Sequence, residues 1–519
     1  MLDLIVQGGI LIDGTGNPRY KADLGISGDR IQQIGDLTGK EARDRIDAGG
    51  RAVAPGFVDV HNHSDSWLLS NPNFVSKTAQ GFTTEVIMAD GISYAPVDRH
   101  TVHAWIHYLR SLNGLRLEEY EGWESLSDYM SVLDGRTVQN SIPHIPYANV
   151  RALACGFGRQ APDDVQMALI LREIEKGMEA GAVGISTGLD YIAQCHASTD
   201  ELVRACKVMA PQGLYATHMR YKMGIMAALE EAVEIGRRAG IPVHISHLKA
   251  VDEPTAEAVL NYVDRVATQE VDFSFDVYPY LPGSTMLNFL MPYEIWDQGP
   301  LAALDQLRTR RFRDRLAAVL DVPPLDNAVI AWTSSKGNHH LQGSTMGEYI
   351  ARRGVPPADA IADLLIEENL SILLVFHRGD DSMVEPFLSH SHYMMGSDGI
   401  YQEGGLIHPR HYGSAPRILG PCVRDRNLFS LEEAVHKLSG YPSRRFGLRH
   451  RGVLKEGNFA DLVVFDPDTV QDRATYTDPH QLPQGIDHVL VNGVPVVRQS
   501  QPVERRKAPL PGRALKFHQ

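Results

Sequence analysis

Cysteine is scarce in this chain. Cys155, Cys195, Cys206 and Cys422 are the only four among 519 residues, and none falls in a CxxC or zinc-finger spacing. That excludes a disulfide-stapled scaffold and a structural zinc knuckle, and scattered thiols fit a reducing compartment. Long apolar runs are missing too. No uninterrupted stretch approaches the ~18 residues of a membrane span. The apolar start over residues 1–12 is broken by Asp3 and has no basic leader in front of it. A cytoplasmic protein without a membrane partner is the expectation. Basic charge is in deficit: the formal net charge is −14 and the pI about 5.9. Nucleic-acid binding needs a basic face, so that partner is not expected. There are no repeats and no low-complexity segment.

What is present is the composition of an ordinary globular protein, 43% hydrophobic and 22% charged, in a chain too long for one hydrophobic core. The first ~50 residues alternate short β-type runs (4–6, 10–12, 23–26, 30–34) with glycine turns at Gly8-Gly9 and Gly28-Asp29. The end of the chain repeats this style in 460–465 and 488–491, with Asn492-Gly493 as a hairpin signal. The two ends are expected to pair into one small β-sandwich domain, 1–54 with 452–519. The middle, 55–451, alternates strands and helices. Strands are predicted at 53–60, 83–89, 142–148, 182–188, 213–217, 242–246, 271–277 and 391–397. Helices are predicted at 163–179 and 224–238, and from Ser430, where Ser430-x-x-Glu433 forms a capping box, to Gly440. Eight strands alternating with helices predict an α/β fold of the TIM-like (β/α)8 barrel type. The interval between the seventh and eighth strands is too long for one crossover, so a lid-like insertion is expected over about 281–345.

Polar residues at the ends of such strands gather on one face of a barrel. His61-x-His63 follows the first strand directly, and alternation puts both rings at the mouth. An isolated HxH is weak evidence, but its position directly after Ala54-Pro-Gly-Phe-Val-Asp59 strengthens it. Asp90 ends the second strand. His218 and His247 end the fifth and sixth, about one βαβ repeat apart, so their imidazoles are expected to be neighbours. Asp398 ends the eighth and is placed to bind metal and to take a proton from water. Imidazoles and carboxylates together suit a borderline or hard divalent metal. His244 reads as a plain core histidine. Cys195-His196 offers a thiol beside an imidazole, but adjacent residues rarely reach catalytic geometry. His339-His340 reads as part of a polar surface loop.

With these motifs in place, the chain resembles the amidohydrolase superfamily, and within it the N-acyl-D-amino acid deacylases (D-aminoacylases), over nearly its whole length. The resemblance runs through Ala54-Pro-Gly-Phe-Val-Asp-Val-His-Asn-His63, Gly184-Ile-Ser-Thr-Gly-Leu-Asp-Tyr191 and Ile245-Ser-His-Leu-Lys249. It continues in Asp276-Val-Tyr-Pro-Tyr280 with Gly283-Ser-Thr285, His408-Pro-Arg410-His-Tyr-Gly413, the segment 452–465 and Pro511-Gly-Arg513. It implies zinc held by His218, His247 and a second-strand cysteine, a second site at His61 and His63, and Asp398 as the residue that activates water. It also implies Tyr191, Lys249 and Ser284 at the substrate carboxylate and carbonyl, with Tyr278 and Arg410 beside them.

The chain departs from that family at the second strand. Asp90 stands where the family has its metal-binding cysteine, in Ala89-Asp90-Gly91-Ile92-Ser93. A carboxylate is harder than a thiolate and can bridge two ions. Three readings stay open: a bridged pair of Zn, Mn or Fe ions, a single metal held more weakly, or an altered site. The fourth strand has no lysine to be carboxylated as a bridge. Ala148-Asn-Val150 stands in place of the family's Val-Gly-His. The expected activity is metal-dependent hydrolysis of a small amide bearing a carboxylate, the N-acyl-D-amino acids foremost. From Tyr278 to Trp296 there is no Lys or Arg, while Met286, Leu287, Phe289, Leu290 and Met291 cluster, which favours an apolar substrate side chain. Alternatives are hydrolysis of a cyclic amide or imide, and a barrel that binds without catalysing.

Overall fold

The computed structural model describes residues 1–320 and 325–518. Positions 321–324 of the expected insertion and 519 of the expected small domain lie outside the described residues. All eight predicted barrel strands form: Phe57–Asp59, Phe82–Ile87, Asn140–Pro143 continued by Ile145–Pro146, Gly184–Gly188, Leu214–His218, Val243–Ile245, Phe273–Val277 and Tyr393–Met395. Each pairs in parallel with the next in chain order. His144 interrupts the third strand, so one half pairs with the second strand and the other with the fourth. The eighth returns to the first. The Val60 amide reaches the Met395 carbonyl (3.5 Å), and Gly399-Ile400 pair in parallel with Asn62-His63. Strands covered on both faces read as continuous apolar runs, which is why period-two alternation is absent from them.

The helices follow their signals. Asp164–Glu179 carries a reciprocal capping box between Asp163 and Gln166 and buries Met167, Ile170 and Ile174. Ile225–Ala239 ends at Gly240 in a left-handed cap. Ser430 caps Leu431–Val435, but the helix does not stop at Gly440. It widens into a π-turn over His436–Gly440 and resumes as Tyr441–Arg445. Pro442 falls in the first turn of the resumed segment, where it is tolerated.

The two chain ends share one nine-stranded sheet. Ala52–Pro55 lies between Leu2–Leu11 and Leu462–Phe465, parallel to the first and antiparallel to the second. The runs 4–6 and 10–12 belong to a single strand with an irregularity between Val6 and Gly9. Asn492 and Gly493, both at positive φ, turn the hairpin into Val494–Arg498. Leu4, Val6, Leu24, Val53, Leu462 and Val464 pack in the core of this sheet.

The seventh-to-eighth interval carries a three-stranded antiparallel sheet of Gly283–Met286, Ala328–Thr333 and Ile372–Phe376, with helices around it. It continues beyond residue 345, where the sequence reading ended it. The run Ile372–Phe376 is buried by pairing on both sides within this sheet rather than by entering the barrel. Its first strand brings Ser284 and Thr285 to the barrel mouth.

Candidate active site and metal centre

The strand ends bring all six sequence-predicted metal-facing residues together. Asp90, His247 and Asp398 have left-handed backbone, with φ of 56°, 39° and 48°. This conformation is strained for residues other than glycine and persists where the surroundings hold it. At Asp90 those surroundings are explicit. Gln194 Nε2 donates to the Asp90 carbonyl (2.9 Å), and the Gly91 amide donates to Ser186 Oγ (3.1 Å). Asn149 holds the following Ser93 by both its amide and its carbonyl (2.9 and 2.8 Å). The seam between first and eighth strands is polar. Buried Asp59 accepts from the Ser397 amide (2.8 Å) and pairs with buried Lys77, and the Asp398 amide donates to the His61 carbonyl (2.7 Å). The HxH turn and the Asp398 turn are thereby fixed to each other.

Within this frame Asp90 faces both histidine pairs. Its Oδ1 lies 3.4 Å from His61 Nε2, and its Oδ2 lies 3.6 Å from His63 Nε2 and 3.7 Å from His218 Nδ1. Asp398 Oδ1 lies 3.3 Å from His63 Nε2 and 3.7 Å from His61 Nε2. His218 Nδ1 and His247 Nε2 are 3.0 Å apart. Two overlapping triads, His61–His63–Asp398 and His61–Asp90–His247, each offer ligand atoms within 4.8 Å of one another. His61 Nε2 and Asp90 Oδ1 are buried with no hydrogen-bond partner among the described residues. Buried ring-nitrogen and carboxylate atoms left unpaired at the centre of an imidazole–carboxylate cluster fit a divalent cation.

The outward ring atoms of His61, His218 and His247 each face a polar group, as metal-binding histidines require, whereas His63 Nδ1 is buried without a hydrogen-bond partner among the described residues. His61 Nδ1 faces Asp276 Oδ2 at 3.4 Å, and the other oxygen of Asp276 accepts from the His247 amide (2.9 Å). His218 Nε2 faces Asp190 Oδ2 at 3.4 Å, and His247 Nδ1 is 3.3 Å from the Tyr221 hydroxyl. Burial, aided by nearby His218, lowers His247 to about 3, so its ring is neutral, the form that binds metal. Burial also pulls on His61, but Asp90, Asp276 and Asp398 outweigh it and raise that ring to about 9. Burial opposes ionisation of Asp398, yet the Arg410 guanidinium, 3.0 Å from Oδ2, and the flanking histidines hold it well below the ordinary carboxylate range.

These groups lie at the floor of a cavity of about 280 Å³. Tyr191, Lys249, Tyr278 and Ser284 line it, and Arg410 is fully buried behind Asp398. Lys249 Nζ donates to the Tyr278 hydroxyl (2.6 Å) and the Leu281 carbonyl (2.8 Å). Ser284 Oγ donates to the Leu374 carbonyl (2.8 Å), and Tyr191 OH is 3.2 Å from Thr285 Oγ1. Leu112, Leu281, Phe289 and Leu290 form apolar walls, and the exposed Arg378 stands on the lining. Cys195 is neither in the cluster nor on the lining, and burial pushes its thiol up to about 12, so the nucleophile reading of Cys195-His196 falls. His339 and His340 are exposed, away from the cavity lining. Tyr221 escaped the sequence reading, and Asp190 and Thr285 were noted only as parts of motifs. Asp276 was noted only as part of a motif, although it sits at a barrel strand end like the other site residues.

A closed parallel barrel with an HxH pair, two further histidines and a carboxylate at its strand ends defines a metal-dependent hydrolase class. The chain belongs to the amidohydrolase family, whose model matches residues 44–497. It is similar to a D-aminoacylase of Alcaligenes xylosoxydans xylosoxydans, 36% identical over 500 residues, 95% of this chain and 94% of the relative. An N-acyl-D-glutamate deacylase of the same organism is 36% identical over 523 residues, covering 99% and 96%. Among solved structures, the N-acyl-D-glutamate deacylase of Bordetella bronchiseptica superposes with a TM-score of 0.83 at 33% identity, covering 99% of both chains. That enzyme was crystallised with zinc and a phosphonate mimicking the tetrahedral intermediate of its reaction. Among the described residues no helix is long and apolar enough to cross a membrane.

Proposed function

We propose that this amidohydrolase converts N-acyl-D-amino acids to a carboxylate and the free D-amino acid. The observation that carries the reading is Asp398, paired to Arg410 and set among four histidines and Asp90 at the floor of a cavity lined by Lys249, Tyr191 and Ser284. The full-length likeness to D-aminoacylase and N-acyl-D-glutamate deacylase supports it. His61, His63, Asp90, His218, His247 and Asp398 would hold the metal. Asp90 reaches both histidine pairs, so its carboxylate would contribute to the centre from between them. We take zinc as the resident ion, with Mn or Fe as the harder alternatives a carboxylate admits. When bound, the metal polarises the scissile carbonyl and acidifies water.

The chain's own groups do the rest. Asp398, ionised because Arg410 holds its outer oxygen, takes the water proton and returns it to the leaving nitrogen. Lys249 and Tyr278 anchor the substrate carboxylate and orient the amide, whereas Arg410, expected from the sequence to join them, is buried off the lining and acts through Asp398. Tyr191 and Ser284, on the same lining, complete the contacts to the carboxylate and carbonyl. The apolar walls favour an apolar side chain, with Arg378 solvated on the lining. Residues 55–451 form the proposed catalytic unit, with 1–54 and 452–519 as the accompanying β-domain. The free thiols suit a cytoplasmic enzyme.

The test is amine release from matched N-acetyl-D- and N-acetyl-L-amino acids by protein supplied with Zn or Mn. Release from D-leucine or D-phenylalanine derivatives above D-glutamate and D-aspartate supports the reading in full. Preference for the acidic pair overturns the side-chain part and implicates Arg378. Ring opening of cyclic imides without D-aminoacyl hydrolysis overturns the substrate class and makes Asp90 the mark of that divergence.

A further inference from the structure

The insertion reaches one metal-facing imidazole through a single buried carboxylate. Tyr293, in the turn Tyr293–Trp296, donates its hydroxyl to Asp190 Oδ1 (2.6 Å). Asp190 Oδ2 faces His218 Nε2 at 3.4 Å, while Nδ1 of the same ring points at His247 and Asp90. The loop after the fifth strand joins the arrangement at two points. The Lys222 amide donates to Asp190 (3.3 Å), and its Nζ donates to the Phe289 carbonyl (2.9 Å). That ammonium also lies over the Phe289 and Tyr293 rings, 4.5 and 4.6 Å from their centroids. Phe289 packs against His218 and Tyr191, with ring centroids 6.1 and 5.3 Å away. The segment 289–293 is thus fastened over the cavity by contacts that converge on Asp190.

A carboxylate on one ring nitrogen fixes the imidazole tautomer and leaves the other lone pair free for a ligand. We propose that Tyr293 and Asp190 are positioning residues, through which docking of the insertion orients His218 and sets how firmly the His218–His247 side of the centre holds its metal. With Tyr293 in place, Asp190 is held from both sides, with Oδ2 directed at His218 Nε2 while Nδ1 of that ring faces the centre. Lifting the segment removes the phenol, and Asp190 is free to turn from His218. The wall that Phe289 and Leu290 give the cavity and the grip on the metal are then linked. This rests on the metal centre proposed above.

The experiment compares wild type, Tyr293→Phe, Asp190→Asn and the double variant, each loaded with zinc and then mixed with excess chelator and a colorimetric zinc indicator. Tyr293→Phe keeps the ring under Lys222 and deletes one hydroxyl. It should release zinc about ten-fold faster, the lower end of what outer partners of metal ligands contribute. Its kcat should fall while KM and melting temperature stay near wild type. Because the two residues act in series, adding Tyr293→Phe to Asp190→Asn should accelerate release no further. A Tyr293→Phe protein that holds zinc as wild type does, or a double variant whose effects multiply, overturns the inference. A purely structural role would lower the melting temperature and leave release unchanged. If wild type itself takes up no metal, the reading of the centre fails first, and that result is distinct from either of these.

Discussion

At the scale of single residues, Asp398 and Asp90 bear the two sharpest tests. Asp398 is kept ionised by Arg410, so its place in the reaction is proton transfer. Asp398→Asn preserves shape and loses the base. It should lower kcat by about 10²–10⁴-fold, with KM little changed, measured by steady-state amine release. Activity within a few-fold of wild type would remove Asp398 from that role. Asp90 is a carboxylate where relatives are expected to carry a thiolate. Asp90→Cys should slow zinc release and weaken Mn binding, because thiolate is the softer ligand; competition with a chelator for each ion reads both effects. The six residues facing the centre were legible because each ends an apolar run, a pattern one chain displays by itself. Asp190 and Tyr221 were not. They act through His218 and His247 from adjacent loops, and nothing in local sequence distinguishes such a carboxylate or phenol from a surface one.

Among the elements, the strand and helix periods carried most of the information. The eight barrel strands were legible because burial on both faces writes a continuous apolar run, and the helices because 163–179 and 224–238 are apolar on one face and Ser430 announces the third. The insertion extends beyond the expected 345, over a stretch for which the sequence reading predicted no element. Ile372–Phe376 has the composition of a barrel strand but is buried by its own small sheet. The turn after the second strand shows how an element places a ligand. Gly91 has φ +67°, and a Cβ there would lie 2.2 Å from Gln194 Oε1 and 2.8 Å from the Ser186 carbonyl. Gly91→Ala must therefore shift the clamp that holds Asp90 at positive φ. The backbone strain alone should cost about 1–3 kcal/mol, seen as a lower urea midpoint. Because the displaced residue is the metal-facing one, zinc loss should accelerate as well. A variant as stable as wild type would show that this turn is not held as tightly as its contacts imply.

At the scale of the whole molecule, the barrel interior is not a uniformly apolar plug, and this ties stability to acidity. His144, His244 and Asp276 are buried inside it, with His244 Nε2 donating to Asp276 (2.9 Å) and Asp276 in turn facing His61. Burial, with His244 and His61 nearby, lowers His144 to about 3. In the unfolded chain this imidazole returns to its ordinary value near 6.5. Between those two values the unfolded state binds the extra proton and the folded state does not. The stability that a neutral His144 supports is therefore complete above pH 6.5 and is lost as pH falls toward 3, with a slope approaching about 1.4 kcal/mol per pH unit. His247, also lowered to about 3, adds to the same slope when no metal is bound. Urea unfolding in the presence of chelator, from pH 7.5 down to 4.5, should show this loss set against the opposite contribution of buried Glu85, whose carboxyl burial raises to about 7. His144→Asn should flatten the slope by one group's share, whatever it does to the absolute stability. The slope is the decisive quantity, because packing damage lowers every point alike, whereas only a group that titrates differently in the two states changes how stability follows pH. A parallel pair of curves would mean that His144 is already protonated or solvated in the folded protein, and that the polar column beneath the active site is less closed than its burial indicates.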